Sequence, residues 1–539
     1  MSPRRSLLLL IALNALLVFH QLDGTDLWTS HEARAAQNAQ RMLDDGDWQL
    51  PTLFDGQVEL QKPPGFYWLV AGIGELRGRV DRWAVRLPSA VAALATVLMI
   101  WGYLVQQGRP RAGLLAGLAL TTAVHFTSSA RIGRIDMSLT AVTTGALLLL
   151  QQYGKGRTLG AGLLLGAGIL LKGPIALALP MCVLTTQSVI HRRRGQVASG
   201  FIAGLIGVAT AAPAYLWVNH ATGGEFFRVF IGYHNIDRAL GDAPALATYP
   251  WWYYIPRLSI DLLPWTPVLV SCLYLFARRP LYRDDPAASL GLVWLGAMLG
   301  LLSLAQFKRA DYLLPAYPAA ALFIGCVGER WFRARAERIS SLQGEEVLTT
   351  KITKHTRGIP ADLGVFRVFR GYPALIDGYS AATSADMSIA DLNVAQARNE
   401  TSQQLFTLLL SLVIVGTVAG WALFRLSIEP AQEASREQQA FAAHVRAQCP
   451  APREVLLYRV ESHLLAYHLG RPIRTLIEWH DLNRWLQEPG EHWFITRAEF
   501  VPECLQYVHT RRIEVWSRSE QFTRGKPARP LVLMRTVDN

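Results

Sequence analysis

Apolar runs close to twenty residues long recur along this chain, and they restrict its fold more than any other feature. A helix crossing a bilayer needs ~20 mostly apolar residues, because its backbone must satisfy its own hydrogen bonds through ~30 Å of hydrocarbon. Such runs occupy 6–22, 83–106, 112–130, 135–153, 158–171, 174–190, 197–218, 258–277, 287–306, 311–328 and 404–425. Lys172-Gly173-Pro174 breaks the short run 158–171 from the next, so the two count as separate spans. The expected class is a mainly α, polytopic membrane protein with about eleven transmembrane helices. Composition agrees: 51% of the 539 residues are hydrophobic and 17% charged, where soluble domains carry roughly one quarter charged residues.

The net charge of +12 does not point to nucleic acid, because the cations sit in short clusters between apolar runs. Arg4 and Arg5, Arg109 and Arg111, Lys155 and Arg157, Arg192 to Arg194, Arg278, Arg279 and Arg283, and Arg330 to Arg338 fall at alternate loops. Eleven spans put every cluster on one side, which the positive-inside rule makes cytoplasmic. The first run, behind Arg4 and Arg5, looks like a signal peptide but reads as a retained anchor given the spans that follow.

This topology divides the chain. Residues 1–338 form a transmembrane core with an outer loop at 23–82; 339–403 is a polar cytoplasmic insertion; 404–425 is the last span; 426–539 is a small outer α/β domain. In the outer loop, 31–45 has the helical period, with Ala33, Ala36, Ala39 and Met42 on one face, and 66–76 is apolar and aromatic but too short to span. Both suit helices lying at the membrane interface. In the tail, a helix over 431–448 and another near 480–487 accompany strand-like runs at 454–459, 491–496, 512–516 and 530–535. The five cysteines form no CxxC. Cys449 and Cys504, alone in the outer domain, would pair in an oxidising compartment.

Charged residues at membrane depth are functional candidates by default. Arg131, Arg134 and Asp136 cluster between two spans; the bland alternative is a salt-bridged helix connection. Lys62 stands before Pro63-Pro64, a turn stiff enough to hold an ammonium in place, although a lysine marking the membrane surface would look the same. His234 and Arg238 share a polar outer segment, and Lys172 and Lys308-Arg309 add cations on the same face. Pooled in one compartment, these groups suit a phosphate anion.

The segments, in order, resemble the membrane glycosyltransferases of the protein mannosyltransferase superfamily, nearest the bacterial aminoarabinose transferase branch. The resemblance rests on His31-Glu32-Ala33-Arg34, Gly46-Asp47-Trp48, Gln61-Lys62-Pro63-Pro64, Tyr67-Trp68 and Arg86 to Ser89. It continues through 130–137, Lys172-Gly173-Pro174, His234 to Arg238, Pro264-Trp265 and 312–318. It implies a GT-C fold in a bacterial inner membrane, with the active face periplasmic. It also implies transfer of a sugar from a polyprenyl-phosphate carrier to a lipid, glycan or protein acceptor. Two positions depart from the pattern: His31 stands where the family opens an acidic pair with aspartate, and Gln61 where a glutamate precedes Lys-Pro-Pro. His31, Glu32 and Asp136 are then the candidate catalytic groups. Arg34, Lys62, Arg131, Arg134, Lys172, His234 and Arg238 are candidate phosphate ligands. A divalent metal is compatible with this set but not required by it. A non-catalytic homologue, or a transporter of lipid-linked sugar using the same cavity, are the alternatives.

Overall fold

The computed structural model describes 2–334 and 411–537 apart from Trp28, Tyr153, Arg193, 238–248, 435–437, Glu461, Pro472, 524–526 and Ala528, with Leu408 besides. The polar insertion expected at 339–403, and Arg238, lie outside the described residues. The chain divides into two units: 1–326 with 418–539, and 327–417.

Helices lie on all eleven apolar runs. In order they are α1 (Pro3–Asn14), α4 (Arg82–Gln106), α5 (Pro110–Thr122), α6 (Val124–Ala130), α7 (Ile135–Leu150), α8 (Lys155–Lys172), α9 (Ile175–His191) and α10 (Arg194–Ala221). Then come α11 (Tyr254–Asp261), α12 (Thr266–Arg278), α13 (Pro286–Leu304), α14 (Ala310–Ala334) and α15 (Ser411–Glu433). By length and composition, five of these can cross a membrane: α4, α10, α13, α14 and α15. The count reaches seven if α5 with α6, bent by 68°, and the segment containing α11 with α12, bent by 114°, each make one span. The protein is an integral membrane protein of mainly helical class.

The loop 23–82, expected to be an outer loop, carries α2 (Ser30–Asp45) and α3 (Gly65–Arg77). Thr29 caps α2 in a capping box with Glu32, and Gly46 ends the helix in the left-handed region at φ 68°. Ala33, Ala36, Ala39 and Met42 are buried on one stripe against Phe66, Tyr67 and Val70 of α3. Two glycines permit close contacts that place candidate residues. A Cβ on Gly65 would lie 2.5 Å from the carbonyl oxygen of Leu170, and one on Gly133 would lie 2.6 Å from that of Val85. The first seats the Lys62 turn beside the end of α8; the second brings the α6–α7 connection onto α4.

The tail contains a five-stranded sheet: β1 (Val455–Tyr458), β2 (Thr475–Leu476), β3 (Trp493–Arg497), β4 (Ile513–Arg518) and β5 (Leu531–Thr536), in the order β2-β1-β3-β5-β4. β1 pairs in parallel with β2 and β3, while β5 is antiparallel to β3 and β4. Alternation splits the side chains between two cores. Val455, Leu457 and Ile495 pack with Phe441 on one face; Leu456, Tyr458 and Phe494 pack with Leu482 on the other. Cys449 belongs to the first core and Cys504 to the second, so the sheet lies between them and both are free thiols. The expected disulfide is corrected on that ground.

Helix α16 (His463–Leu469) joins the tail to the outer loop. Tyr467 Oη donates to the carbonyl of Val80 at 2.9 Å, Gln37 Nε2 donates to that of His463 at 2.8 Å, and His468 Nε2 lies 2.7 Å from Asp26 Oδ2. Helix α2 is thereby tied to the tail through Gln37, and the same loop is tied to it at Asp26 and Val80.

Candidate functional site

A cavity of about 380 Å³ opens where the outer loop meets the ends of α7, α8, α13 and α14. His31, Lys62, Arg134, Asp136, Lys172, His234 and Arg309 line it with polar groups; Phe66, Leu139, Leu171, Ile175, Leu179 and Leu302 supply an apolar wall. Six of the ten candidate residues, brought from five separated stretches of chain, therefore meet here.

Their contacts are specific. Lys62 Nζ lies 3.2 Å from His31 Nδ1. Asp136, at the first turn of α7, is paired with Lys172 Nζ and lies 3.6 Å from Arg134 Nε. Lys172, the last residue of α8, also sits over the ring of Tyr312 at 4.3 Å. Arg134 Nη1 reaches Asp311 at 2.7 Å, and Asp311 lies 3.6 Å from the buried His125. Burial presses the His31 imidazole down from 6.5 to about 2, and the nearby charges of Lys62 and Arg134 act the same way. Burial likewise lowers the Lys62 ammonium to about 8, with Glu59 opposing the shift and Arg34 assisting it. His31 is accordingly a neutral ring whose Nδ1 accepts from an ammonium, which leaves the proton on Nε2.

Three of the candidates lie elsewhere. Glu32 is fully buried: its Oε1 accepts from Arg86 Nε at 2.9 Å and from the Gly133 amide at 3.0 Å. It fastens α2 to α4 and to the α6–α7 connection and is absent from the cavity wall. Arg131 turns the opposite way, donating to the carbonyls of Leu17, Val18, His20 and Gln21 at 2.8–3.2 Å. It thus closes the open C-terminal end of the helical stretch Ala15–Phe19 that continues α1. Arg34 is paired with the buried Glu59 beside a second, more open pocket of about 450 Å³ that shares Gln61 and His234 with the first. Arg238 lies outside the described residues. Lys308, counted among the pooled cations, is buried and donates to the carbonyls of Tyr249 and Ala305. Arg309 and Tyr312 also line the cavity and Asp311 pairs with Arg134 beside it; the signal in the sequence is a charged Arg-Ala-Asp-Tyr stretch at the start of an apolar run.

The donor set does not suit a divalent cation. Asp136 is the single carboxylate among the described lining residues and is already held by Lys172 and Arg134. Among the described residues no group of three His, Cys, Asp or Glu side chains could hold a metal ion.

Apolar helices that carry a loop with two helices of its own, above a charged cavity, make up a fold that this chain shares with solved structures of GT-C type. Among solved structures, ArnT from Cupriavidus metallidurans bound to undecaprenyl phosphate matches with a TM-score of 0.73 at 17% identity, over 99% of this chain and 98% of that one. The archaeal oligosaccharyltransferase AglB from Archaeoglobus fulgidus matches with a TM-score of 0.51 at 12% identity, over 94% and 70%. In sequence, the chain is similar to transferases that act with undecaprenyl phosphate-linked aminoarabinose, as their names state. The dolichyl-phosphate-mannose-protein mannosyltransferase family model matches residues 61–217. Undecaprenyl phosphate-α-4-amino-4-deoxy-L-arabinose arabinosyl transferase 2 of Pseudomonas fluorescens is 28% identical over 372 residues, covering 66% of this chain and 61% of the relative. The corresponding transferase of Pseudomonas aeruginosa is 31% identical over 337 residues, covering 60% of each. The chain therefore spans about three fifths of the length of these relatives.

Proposed function

We propose that this protein is a membrane glycosyltransferase that moves a sugar from a polyprenyl-phosphate carrier to a lipid, glycan or protein acceptor on the outer, periplasmic face of a bacterial inner membrane. One observation carries the reading: Lys62, Arg134, Lys172 and Arg309 converge on a cavity that Phe66, Leu139, Leu171, Ile175, Leu179 and Leu302 also line. Such a lining suits an amphiphile with an anionic phosphate head. The acceptor oxygen attacks the anomeric carbon, and the bond between that carbon and the phosphate oxygen breaks. The lipid phosphate leaves with one more negative charge than it carried in the diester, and the cations oppose that charge. Direct displacement inverts the anomeric centre. A hydroxyl acceptor gives its proton to Asp136, the carboxylate on the cavity wall; a neutral His31 bound to Lys62 is a positioning group for that lysine. Incubating the purified protein with a panel of polyprenyl-phosphate sugars, and finding no transfer to any acceptor fraction, overturns the reading.

The pH profile tests the assignments. A histidine base would make activity fall below about pH 6, but His31, lowered to about 2, titrates far beneath that range. No acid limb is expected from it. Lys62 is charged below about 8, so kcat/KM should be full below that pH and decline above it. Bound phosphate favours the ammonium, so the decline in kcat lies at higher pH than that in kcat/KM. In Lys62→Arg, whose guanidinium stays charged, the alkaline limb should vanish. A wild-type limb near pH 6 that His31→Ala removes would restore the histidine base.

The eleven-span topology completes the proposal, with the N-terminus and 339–403 cytoplasmic and 426–539 outside. It treats 1–338 as the transferase core and 404–425 as the last span. Reporter fusions should read cytoplasmic at 195 and external at 440; a cytoplasmic signal at 440 removes the model.

A further inference from the structure

The cavity is unbalanced in charge, and, granted the transferase reading above, the imbalance selects among sugars. Lys62, Arg134, Lys172 and Arg309 line it with Asp136, which Lys172 and Arg134 contact directly. One layer behind, Arg34 is paired with Glu59, and Asp311 takes Arg134 at 2.7 Å and Arg309 at 3.5 Å. Among the described residues, five cations thus stand against three carboxylates, and each carboxylate already has a cationic partner. A carboxylate at position 31 and another at 61 would bring the count level. His31 cannot replace a carboxylate as the acceptor of a further cation, because its Nδ1 is engaged by Lys62 at 3.2 Å.

A phosphodiester donor brings one negative charge, so the site stays positive after the donor binds. An ammonium on the sugar would then be desolvated among like charges with every nearby described carboxylate occupied, and both effects oppose it. A hydroxyl in the same place meets neither penalty, and a carboxylate gains from the excess. We propose that the glycosyl group accepted by this cavity carries no ammonium and is a neutral or carboxylated sugar, unlike the 4-amino-4-deoxyarabinose in the names of the similar transferases.

Binding tests this separately from turnover. The full-length protein in detergent is loaded with radiolabelled undecaprenyl phosphate, which is displaced by undecaprenyl phosphate carrying arabinose, 4-amino-4-deoxyarabinose or glucuronate. The amino sugar should displace at least about tenfold more weakly than arabinose, and glucuronate no more weakly than arabinose. Gln61 is exposed, so Gln61→Glu restores a carboxylate at the rim without disturbing packing. It should narrow the gap between arabinose and its amino derivative. Equal or tighter binding of the amino sugar overturns the proposal, as does a gap that Gln61→Glu leaves unchanged. If none of the three displaces the label, this proposal and the transferase reading both fall. If the ranking holds and no sugar is transferred, only the transferase reading falls.

Discussion

Lys62→Met should lower kcat by roughly 100- to 1,000-fold while KM for the donor changes much less. The Lys62 ammonium is half-buried and fixed by two constraints: the Pro63-Pro64 turn, which limits the backbone, and His31 Nδ1 at 3.2 Å. A positive charge held in place before the reaction acts most strongly where negative charge develops, because no solvent has to reorganise. In the proposed transfer that place is the departing phosphate, whose charge grows as the glycosidic bond breaks. The lysine therefore stabilises the transition state more than the bound donor, and its loss falls on kcat. Methionine keeps the length and much of the volume without the charge, so the fold around α2 and α3 should persist. Lys172→Met makes an informative comparison. Its ammonium also neutralises Asp136, so removing it unmasks a carboxylate in the cavity and should weaken donor binding as well. A kcat for Lys62→Met within about threefold of wild type would remove this lysine from the chemistry.

The difference between Lys62 and its neighbours explains how far the site could be read from sequence. Motif order located segments that meet at the cavity, since charges at the ends of apolar runs are costly unless they act. Order does not say which way each side chain turns. His31 and Glu32 are adjacent on α2, and one residue rotates a helix by ~100°. One ring consequently faces the cavity while the next carboxylate points into the core, toward Arg86 on α4 and Gly133 beyond α6. Arg131 and Arg134 are separated by the break between α6 and α7, and they go to a helix end and to the cavity respectively. Those outcomes depend on packing between segments about a hundred residues apart, which periodicity does not encode. Periodicity did encode the outer loop, where the 31–45 stripe is buried as α2, and most of the tail, where strands fall within a residue or two of the alternating runs. The helix His463–Leu469 and the two-residue strand Thr475–Leu476 are too short to leave a period, and they escaped it.

Glu32 supplies the second large effect, and it should be one of stability. Its carboxylate is fully buried and bound by the equally buried Arg86, whose remaining donors go to the carbonyls of Leu22, Thr25 and Asp26 at 2.5–3.0 Å. Removing one partner of such a pair leaves the other charge desolvated and uncompensated, which typically costs about 3–5 kcal/mol. Glu32→Ala also deletes the reciprocal half of the capping box at the start of α2 and leaves the Gly133 amide without its acceptor. The helix carrying His31 would lose its anchor, so little folded protein should survive solubilisation. Glu32→Gln keeps the shape and can still accept from Gly133, so its loss in thermal stability should be smaller, with Arg86 the unpaired charge. Glu32→Gln with Arg86→Met removes both charges and should be more stable than either charge-breaking single variant. The deciding measurement is turnover per folded molecule. If Glu32→Gln protein that elutes as a single species retains kcat within about tenfold of wild type, the carboxylate organises the fold and does not move the proton. If that protein is as stable as wild type but inert, Glu32 returns to the chemistry, and Asp136 loses its place as the base.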